Sequence, residues 1–202
     1  MKGTRSCVLS MMALLTALAI TNTSGAQSLE SAPIDLAVTY DTLHTNHITS
    51  QSFWMQGGAI ELGAEFYRSL GIVARVQGDH VGASATGEPL SLVTTVFGSR
   101  YTLQTRNHRY AIFGEGLLGI SNGFHSLFSE GSGPVGQENA GTTSSSNAMA
   151  IDVGGGLDVR LNHRFAIRTI RASYLYTQFP NTTTNVQNSL SLSTGLVVRF
   201  GK

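Results

Sequence analysis

Alternation of apolar and polar side chains with a period of two recurs eight times in this chain, and it limits the fold more than any other feature. The clearest run is SLSLSTGLVVRF, in which every second residue from Leu190 to Phe200 is apolar apart from Thr194. Successive side chains of an extended strand point to opposite faces, so such a run predicts a strand with one apolar face. Helical periodicity is weak outside the N-terminal segment, and the sequence therefore predicts an all-β fold.

Most of the eight runs are about ten residues long, which is the length at which a tilted strand crosses a lipid bilayer. In each run we predict that the apolar face points outward and that the face carrying Asp, Glu, Arg, Gly and Ser points inward. The runs are residues 33–41, 54–65, 71–79, 91–102, 109–121, 148–160, 164–177 and 189–200.

The seventh run contains two arginines that do not fit one regular strand. Arg168 and Arg171 are three residues apart, so a regular strand would point them to opposite faces. We predict that Arg171 and Ser173 point inward. Arg168 then either lies at the membrane interface near the start of the strand, or a β-bulge separates the two arginines.

Charged residues are scarce, and this scarcity separates two kinds of barrel. Only 12% of residues are Asp, Glu, Lys or Arg, against about 25% in soluble domains. A soluble lipocalin-like barrel, the alternative fold, would carry many Lys and Glu residues on its outer face, whereas residues 27–202 contain one lysine. The composition therefore favours a membrane barrel. It does not predict a nucleic-acid partner, because such binding needs a basic surface.

The N-terminal segment has the pattern of a secretory signal peptide. Lys2 and Arg5 precede an apolar run from Cys7 to Ile20, and small residues stand before a cleavage site at Ala26. We expect residues 1–26 to be removed and residues 27–202 to form one barrel domain. Cys7 is the only cysteine, so no disulfide is expected in the mature chain.

Short and long connections alternate between the runs. FYRSL, LQTRNHR and LNHR are short, whereas residues 42–51, 81–88, 122–147 and 178–186 form longer segments rich in Ser, Thr, Asn and Gly. This arrangement predicts an eight-stranded antiparallel up-and-down transmembrane β-barrel with both termini in the periplasm and four extracellular loops. The longest loop, residues 124–147, is the best candidate for contact with an extracellular ligand.

Several stretches resemble the small outer-membrane β-barrel domains of the porin-family, opacity-like and OmpA-like kind. They are VFGSRYT, AIDVGGGLDVRLNHRFAIR, YLYT and the final LSLSTGLVVRFGK, and the resemblance covers essentially all of residues 27–202. It implies a location in the bacterial outer membrane. It also implies insertion by the barrel-assembly machinery, which reads a terminal aromatic residue; Phe200 matches, although Gly201 and Lys202 follow it. The functions of the family are diverse, so the resemblance does not fix an activity.

Charged residues on the predicted inner face have both signs. Because an unpaired buried charge is very unfavourable, these side chains must pair, which predicts a lumen filled by side chains. We therefore expect a monomeric barrel in outer-membrane lipid with a structural or adhesion-like role through its loops. The alternative is a small pore or a lipid A-modifying enzyme. The residues concerned are Glu61, Glu65, Arg75, Arg100, Glu115, Asp152, Asp158 and Arg199.

Candidate catalytic and metal-binding residues are few. His125 and Ser126 are adjacent, with Glu115 lower on the same run, but neighbouring strand residues point to opposite faces, so chance pairing is the simpler interpretation. His44, His47, His80 and His125 fall on the predicted extracellular side without a carboxylate or cysteine pattern, which favours solvated histidines. We assign no catalytic, cofactor-binding or metal-binding residue.

The segment GEGLLG, residues 114–119, has the spacing of a dinucleotide-binding loop. That function requires a helix that opens within the motif. Here alternation continues through the glycines from Tyr110 to Ile120, and ISNGF is a poor start for a helix. We therefore interpret the segment as part of a membrane strand, with Glu115 and Gly119 inward and Gly114 and Gly116 outward.

Overall fold

A computed structural model describes residues 33–46, 52–67, 69–82, 89–129, 142–179 and 186–201. The predicted signal peptide, residues 1–26, lies outside them. In the described part of the chain, no helix is long and apolar enough to cross a membrane. The strands are β1 (Ile34–Thr45), β2 (Phe53–Tyr67), β3 (Leu70–Val81), β4 (Leu90–Gln104), β5 (Tyr110–Ser129), β6 (Thr142–Arg160), β7 (Phe165–Thr177) and β8 (Gln187–Phe200).

The eight strands form a closed barrel in which each strand is antiparallel to both neighbours. Strands adjacent in the sequence pair with each other, and β1 closes the sheet against β8, with Ile34 opposite Phe200. Closure leaves no strand edge with unpaired backbone groups, which is the condition for a sheet in hydrocarbon. The predicted all-β, eight-stranded antiparallel fold is confirmed.

Side-chain direction follows the predicted alternation. On β5 the outward Ile112 and Leu118 are 61% and 63% exposed, whereas the inward Glu115 between them is 6% exposed. The same pattern occurs on the other strands, and the buried charged residues of the barrel all lie on the inward face. An apolar exterior with a charged interior is the arrangement of a membrane barrel and the reverse of a soluble one.

Strand β7 contains the bulge that was one of the two predicted alternatives. Arg168 and Arg171 are both fully buried, and the two residues between them both face outward. The register shifts between Arg168 and Arg171 against β8, and between Leu157 and Asp158 against β6. The interfacial position considered for Arg168 is therefore wrong. The extra outward residue of the bulge allows Arg168 and Arg171 both to point inward.

The predicted loop of residues 124–147 is wrong at both boundaries. β5 continues to Ser129 and β6 begins at Thr142, with Phe124 opposite Ser145 and Phe128 opposite Thr143. An antiparallel hairpin can continue through polar residues, because the paired strands satisfy each other's backbone groups. The register shifts between Phe124 and Phe128, where His125 has a positive φ of 62°. Residues 130–141 lie outside the described residues.

The two ends of the barrel differ. The short connections at residues 105–109 and 161–164 lie at the end where β1 begins and β8 ends, which we call the inner end. The four longer connections lie at the opposite, outer end. In outer-membrane barrels the short turns face the periplasm.

Candidate functional site: the lumen and its two ends

The middle of the lumen is organised around one carboxylate. Glu61 Oε1 accepts hydrogen bonds from Arg100 Nη2 at 2.6 Å and from Arg168 Nη1 at 2.8 Å, and its Oε2 accepts one from Arg75 Nη1 at 3.3 Å. Glu61 is 2% exposed. A carboxylate at this depth is stable only when cations and hydrogen bonds replace its hydration, and three arginines do so here.

The ion network extends from Glu61 through both signs of charge. Glu115 accepts hydrogen bonds from Arg100 and from Arg171 Nε, the latter at 2.6 Å. Arg171 also donates through its Nη2 to Asp152 at 2.6 Å. Arg168 Nε donates to Asp158 at 2.9 Å, and Arg75 Nη2 donates to Asp41 at 2.6 Å. Strands β1 to β7 each contribute at least one member. We call these nine residues the ion network: Asp41, Glu61, Arg75, Arg100, Glu115, Asp152, Asp158, Arg168 and Arg171.

An aromatic ring completes the ion network. The guanidinium carbons of Arg100 and Arg168 lie 4.3 Å and 4.6 Å from the ring centroid of Phe113. Cations near an aromatic ring are attracted to its negative faces. A Cβ on Gly156 would lie 2.6 Å from both Phe113 Cζ and the backbone oxygen of Ile170, so only glycine fits beside the ring. The glycine run of β6 thus makes room for the side chain that supports two network arginines.

The outer half of the lumen holds a group of buried apolar side chains beside buried polar ones such as Asp79, Thr94 and Ser121. Leu43, Met55 and Leu90 are fully buried there and belong to one larger hydrophobic cluster. The prediction drew its conclusions about the lumen from the charged residues of the inward face and missed this group. A signal was present, because Leu43 shares the parity of Asp41, and Met55 that of Glu61. The apolar group is Leu43, Met55, Leu90, Leu92, Val96, Leu117, Ala148, Ala150, Leu175 and Phe179. Val73, on the inner side of Arg75, continues the same cluster beside the ion network.

Phe179 closes the apolar group at the end of β7. Its side chain is buried, although the residue follows the last strand position of β7. The Phe179 amide donates to Gln187 Oε1 at 2.7 Å, and Gln187 Nε2 donates to the Phe179 carbonyl at 3.1 Å. Gln187 is fully buried on the first position of β8. One side chain therefore satisfies both backbone groups of the capping residue.

The inner end of the lumen is open. A cavity of about 1040 Å³ lies there, with Glu65, Arg160 and Arg199 in its wall. Arg199 is paired with Asp35 through two hydrogen bonds of 2.7 and 2.8 Å. Further in, a cavity of about 20 Å³ reaches Arg100, which is room for about one water molecule. Within the described residues, the open volume thus ends at the ion network.

The structure does not bring the candidate catalytic residues together. His125 and Glu115 are ten positions apart along β5, a separation of about 33 Å in an extended strand. Glu115 is moreover occupied by two arginines of the ion network. The side chain of Ser126 lies outside the described residues. A carboxylate that cannot reach the histidine cannot orient it as a base.

Two of the candidate metal-binding histidines make other contacts. The His44 ring lies against Trp54 with centroids 4.7 Å apart, and His80 Nδ1 is 2.9 Å from Ser91 Oγ. His47 lies outside the described residues. In the part of the chain that is described, no group of three His, Cys, Asp or Glu residues could hold a metal ion.

The segment GEGLLG lies wholly within β5 and pairs with β4 and β6 along its length. No helix begins within it, and Glu115 points into the lumen. The glycines are therefore strand residues, as predicted, and they do not form a phosphate-binding turn.

Comparison with known proteins defines the class of fold. No family model matches the chain, and no curated protein sequence is similar to it. The crystal structure of Neisserial surface protein A (NspA) is similar with a TM-score of 0.60 at 13% identity, over 83% of this chain and 97% of that one. The crystal structure of Ail, the attachment invasion locus protein of Yersinia pestis, in complex with the heparin analogue sucrose octasulfate, is similar with a TM-score of 0.55 at 15% identity, over 84% and 99%.

At these identities the similarity is one of fold. The chain has the eight-stranded barrel fold of small bacterial outer-membrane proteins. Together with the apolar exterior, this fold makes it an integral outer-membrane barrel, in agreement with the predicted location.

Proposed function

We propose that this chain is a surface protein of the outer membrane whose lumen is closed and whose role depends on contacts made at its outer end. The observation that carries the proposal is the apolar group that lies, together with buried polar side chains, in the outer half of the lumen above the ion network. A solute path would have to displace buried leucines and break buried ion pairs. An eight-stranded barrel has an interior just wide enough for side chains, which supports the same conclusion.

A conductance measurement tests the closed lumen against the alternative of a small pore. Purified barrel in a planar lipid bilayer is expected to show no large, stable conductance steps, whereas a porin recorded in the same membrane shows them. Phe179→Ala is a useful companion variant because it removes only the capping side chain. Large stable steps from the unaltered protein would contradict the proposal.

The chemistry of the outer end indicates what kind of surface it contacts. Residues 42–53, 82–89, 122–147 and 178–188 contain no lysine or arginine. Ail has been solved with a polysulfated ligand, and sulfate groups are bound most strongly by cationic side chains. We therefore propose that the outer end of this chain contacts neutral or basic surfaces and does not bind polysulfated glycans.

Replacing residues 130–141 by a Gly-Ser linker of equal length tests the contact role. Cells with the unaltered barrel are expected to adhere to a cultured epithelial layer more than cells with the replaced segment, at equal amounts of folded barrel. Sucrose octasulfate serves as the second probe and is expected not to bind. Equal adherence would contradict the contact role, and binding of the probe would contradict the neutral-or-basic assignment.

Lipid A modification is not favoured, since Glu115 is held in the ion network far from His125. Incubation of the purified barrel with labelled lipid A is expected to give no product. Formation of a deacylated or acylated lipid would reverse this assignment.

Export and assembly form the remaining part of the proposal. Residues 1–26 act as a removable signal peptide, residues 27–202 form a monomeric barrel, and the barrel-assembly machinery recognises the last strand. Phe200 supports this role because it is 51% exposed on the outer face of β8, opposite Ile34. Phe200→Ala is expected to lower the yield of heat-modifiable barrel in the outer-membrane fraction, with Phe165→Ala as the control at the same end.

A further inference from the structure

The described arginines fall into two groups. Five point into the lumen and are ion-paired: the four of the ion network and Arg199. The other four lie at the inner end and have no ion pair among the described residues. They are Arg106, Arg109, Arg160 and Arg164, of which only Arg160 is partly buried. The absence of Lys and Arg from the outer connections makes this distribution one-sided.

Two of the unpaired arginines share one cavity with membrane-facing residues. The inner cavity of about 1040 Å³ is lined by Arg160 and Arg164 and also by Phe165, Val198 and Phe200. Phe165 and Phe200 are 46% and 51% exposed on the outer face of the barrel. The cavity therefore has a cationic side and a side that continues into the lipid-facing surface.

Backbone hydrogen bonds fix the turn that carries the arginines of the cavity. The Arg199 amide donates to the Arg164 carbonyl at 2.7 Å, and the Arg160 amide donates to the Arg109 carbonyl at 2.8 Å. Asn162 Oδ1 accepts hydrogen bonds from the amides of Arg164 at 2.9 Å and Phe165 at 2.8 Å. The turn between β6 and β7 is thus tied to both neighbouring strand ends, so the backbone that carries Arg160 and Arg164 is held in place at the cavity.

We infer that this cavity binds an anionic phospholipid of the periplasmic leaflet. Its phosphate lies against Arg160 and Arg164, and an acyl chain lies against Phe165, Val198 and Phe200. Guanidinium groups match phosphate oxygens in charge and in hydrogen-bond geometry. Glu65 lines the lumen side of the same cavity, to which Arg160 also points. Glu65 repels an anion there, so the headgroup approaches Arg160 from the rim, beside Arg164. A free phosphate would use only the cationic side, so the apolar side points to a lipid.

Native mass spectrometry of the detergent-solubilised barrel with added lipid tests this inference. Dioleoyl phosphatidylglycerol is the anionic probe, and dioleoyl phosphatidylcholine has the same chains without the net charge. The unaltered barrel is expected to bind the anionic lipid at least tenfold more tightly. The double variant Arg160→Gln/Arg164→Gln is expected to lose about fivefold in affinity for each arginine removed. Arg164→Gln alone changes an exposed turn residue and serves if the double variant does not fold.

The matched control is Arg106→Gln/Arg109→Gln, which removes the same charge from the neighbouring turn but not from the cavity wall. Its preference for phosphatidylglycerol is expected to stay within about twofold of that of the unaltered barrel. Such a change is smaller than the contribution of one arginine. Equal binding of the two lipids to the unaltered barrel would overturn the inference. So would an equal loss in both double variants, because that result indicates a diffuse charge effect. Displacement of the lipid by an equimolar amount of glycerol 3-phosphate would show that the apolar side contributes nothing, and would overturn it too.

Discussion

At the scale of single residues, glycines of one short segment have opposite roles. A Cβ on Gly119 would lie 2.0 Å from the carbonyl oxygen of Thr95 on β4, whereas a Cβ on Gly116 would meet no atom within 4 Å. Gly119 faces the lumen and Gly116 faces outward. Close backbone approach therefore explains the first glycine, while the second leaves an open place on the lipid-facing surface.

This difference gives a paired prediction. Gly119→Ala is expected to destabilise the barrel by about 1–3 kcal/mol, because the methyl group cannot fit without moving β4. Gly116→Ala is expected to change the free energy of unfolding by less than about 0.5 kcal/mol, as for substitutions without a packing conflict. Urea unfolding of the refolded barrel in lipid vesicles measures both. Equal destabilisation by the two variants would contradict the close approach.

A second residue-scale prediction concerns the centre of the ion network. Glu61→Gln leaves Arg75, Arg100 and Arg168 without their shared carboxylate, and is expected to lower the free energy of unfolding by about 3–5 kcal/mol. Asp35→Asn is the control, because it breaks the less buried pair with Arg199 at the inner end, whose side chains are 17% and 20% exposed, and is expected to cost less, about 1 kcal/mol. The midpoint of the heat-induced change in gel migration ranks the two. A smaller effect of Glu61→Gln than of Asp35→Asn would show that the network is dispensable.

At the scale of strands, the register irregularities place functional side chains. The bulge in β7 lets Arg168 reach Glu61 and Asp158 while Arg171 reaches Glu115. Without the extra residue, one arginine would face hydrocarbon, where a charge is strongly unfavourable. The bulge is therefore the local feature that allows two arginines of β7 to join the ion network.

The end of β7 and the start of β8 give an element-scale prediction. Gln187→Ala removes both hydrogen bonds to the Phe179 backbone, and an unmet buried backbone group costs about 1–3 kcal/mol. The Phe179 amide is then expected to exchange its hydrogen about tenfold faster or more, since local opening becomes easier. Asn188→Ala is the control, because Asn188 lies outside the lumen and accepts from Tyr174. Unchanged exchange in Gln187→Ala would show that the side chain does not hold the cap.

At the scale of the whole molecule, the two ends of the barrel are predicted to face different compartments. Residues 27–202 contain no cysteine, so single cysteines can be labelled without a background. Val135→Cys, in the connection between β5 and β6, is expected to react with a membrane-impermeant maleimide on intact cells. Asn107→Cys, in the exposed turn between β4 and β5, is expected to react only after the outer membrane is permeabilised. The reverse pattern would invert the orientation.

The sequence by itself determined the number of strands, their approximate positions and which face of each strand is apolar. These are local properties, since the direction of a side chain in a strand depends only on its parity along the chain. For the same reason the sequence placed Glu61, Arg75 and Glu115 inside the barrel and identified GEGLLG as a strand segment. Scarce charge then decided between a membrane barrel and a soluble one.

Only the tertiary structure decided which inward residues meet. Arg168 and Glu61 are 107 residues apart in the chain, and Arg199 and Asp35 are 164 apart. Their contacts depend on the registers of strand pairs and on barrel closure, which no local pattern encodes. Three further features arise in the same way. They are the bulge that turns both arginines of β7 inward, the extension of β5 and β6 through polar residues, and the apolar group in the outer lumen. Each results from pairing or packing between segments that are distant in the sequence.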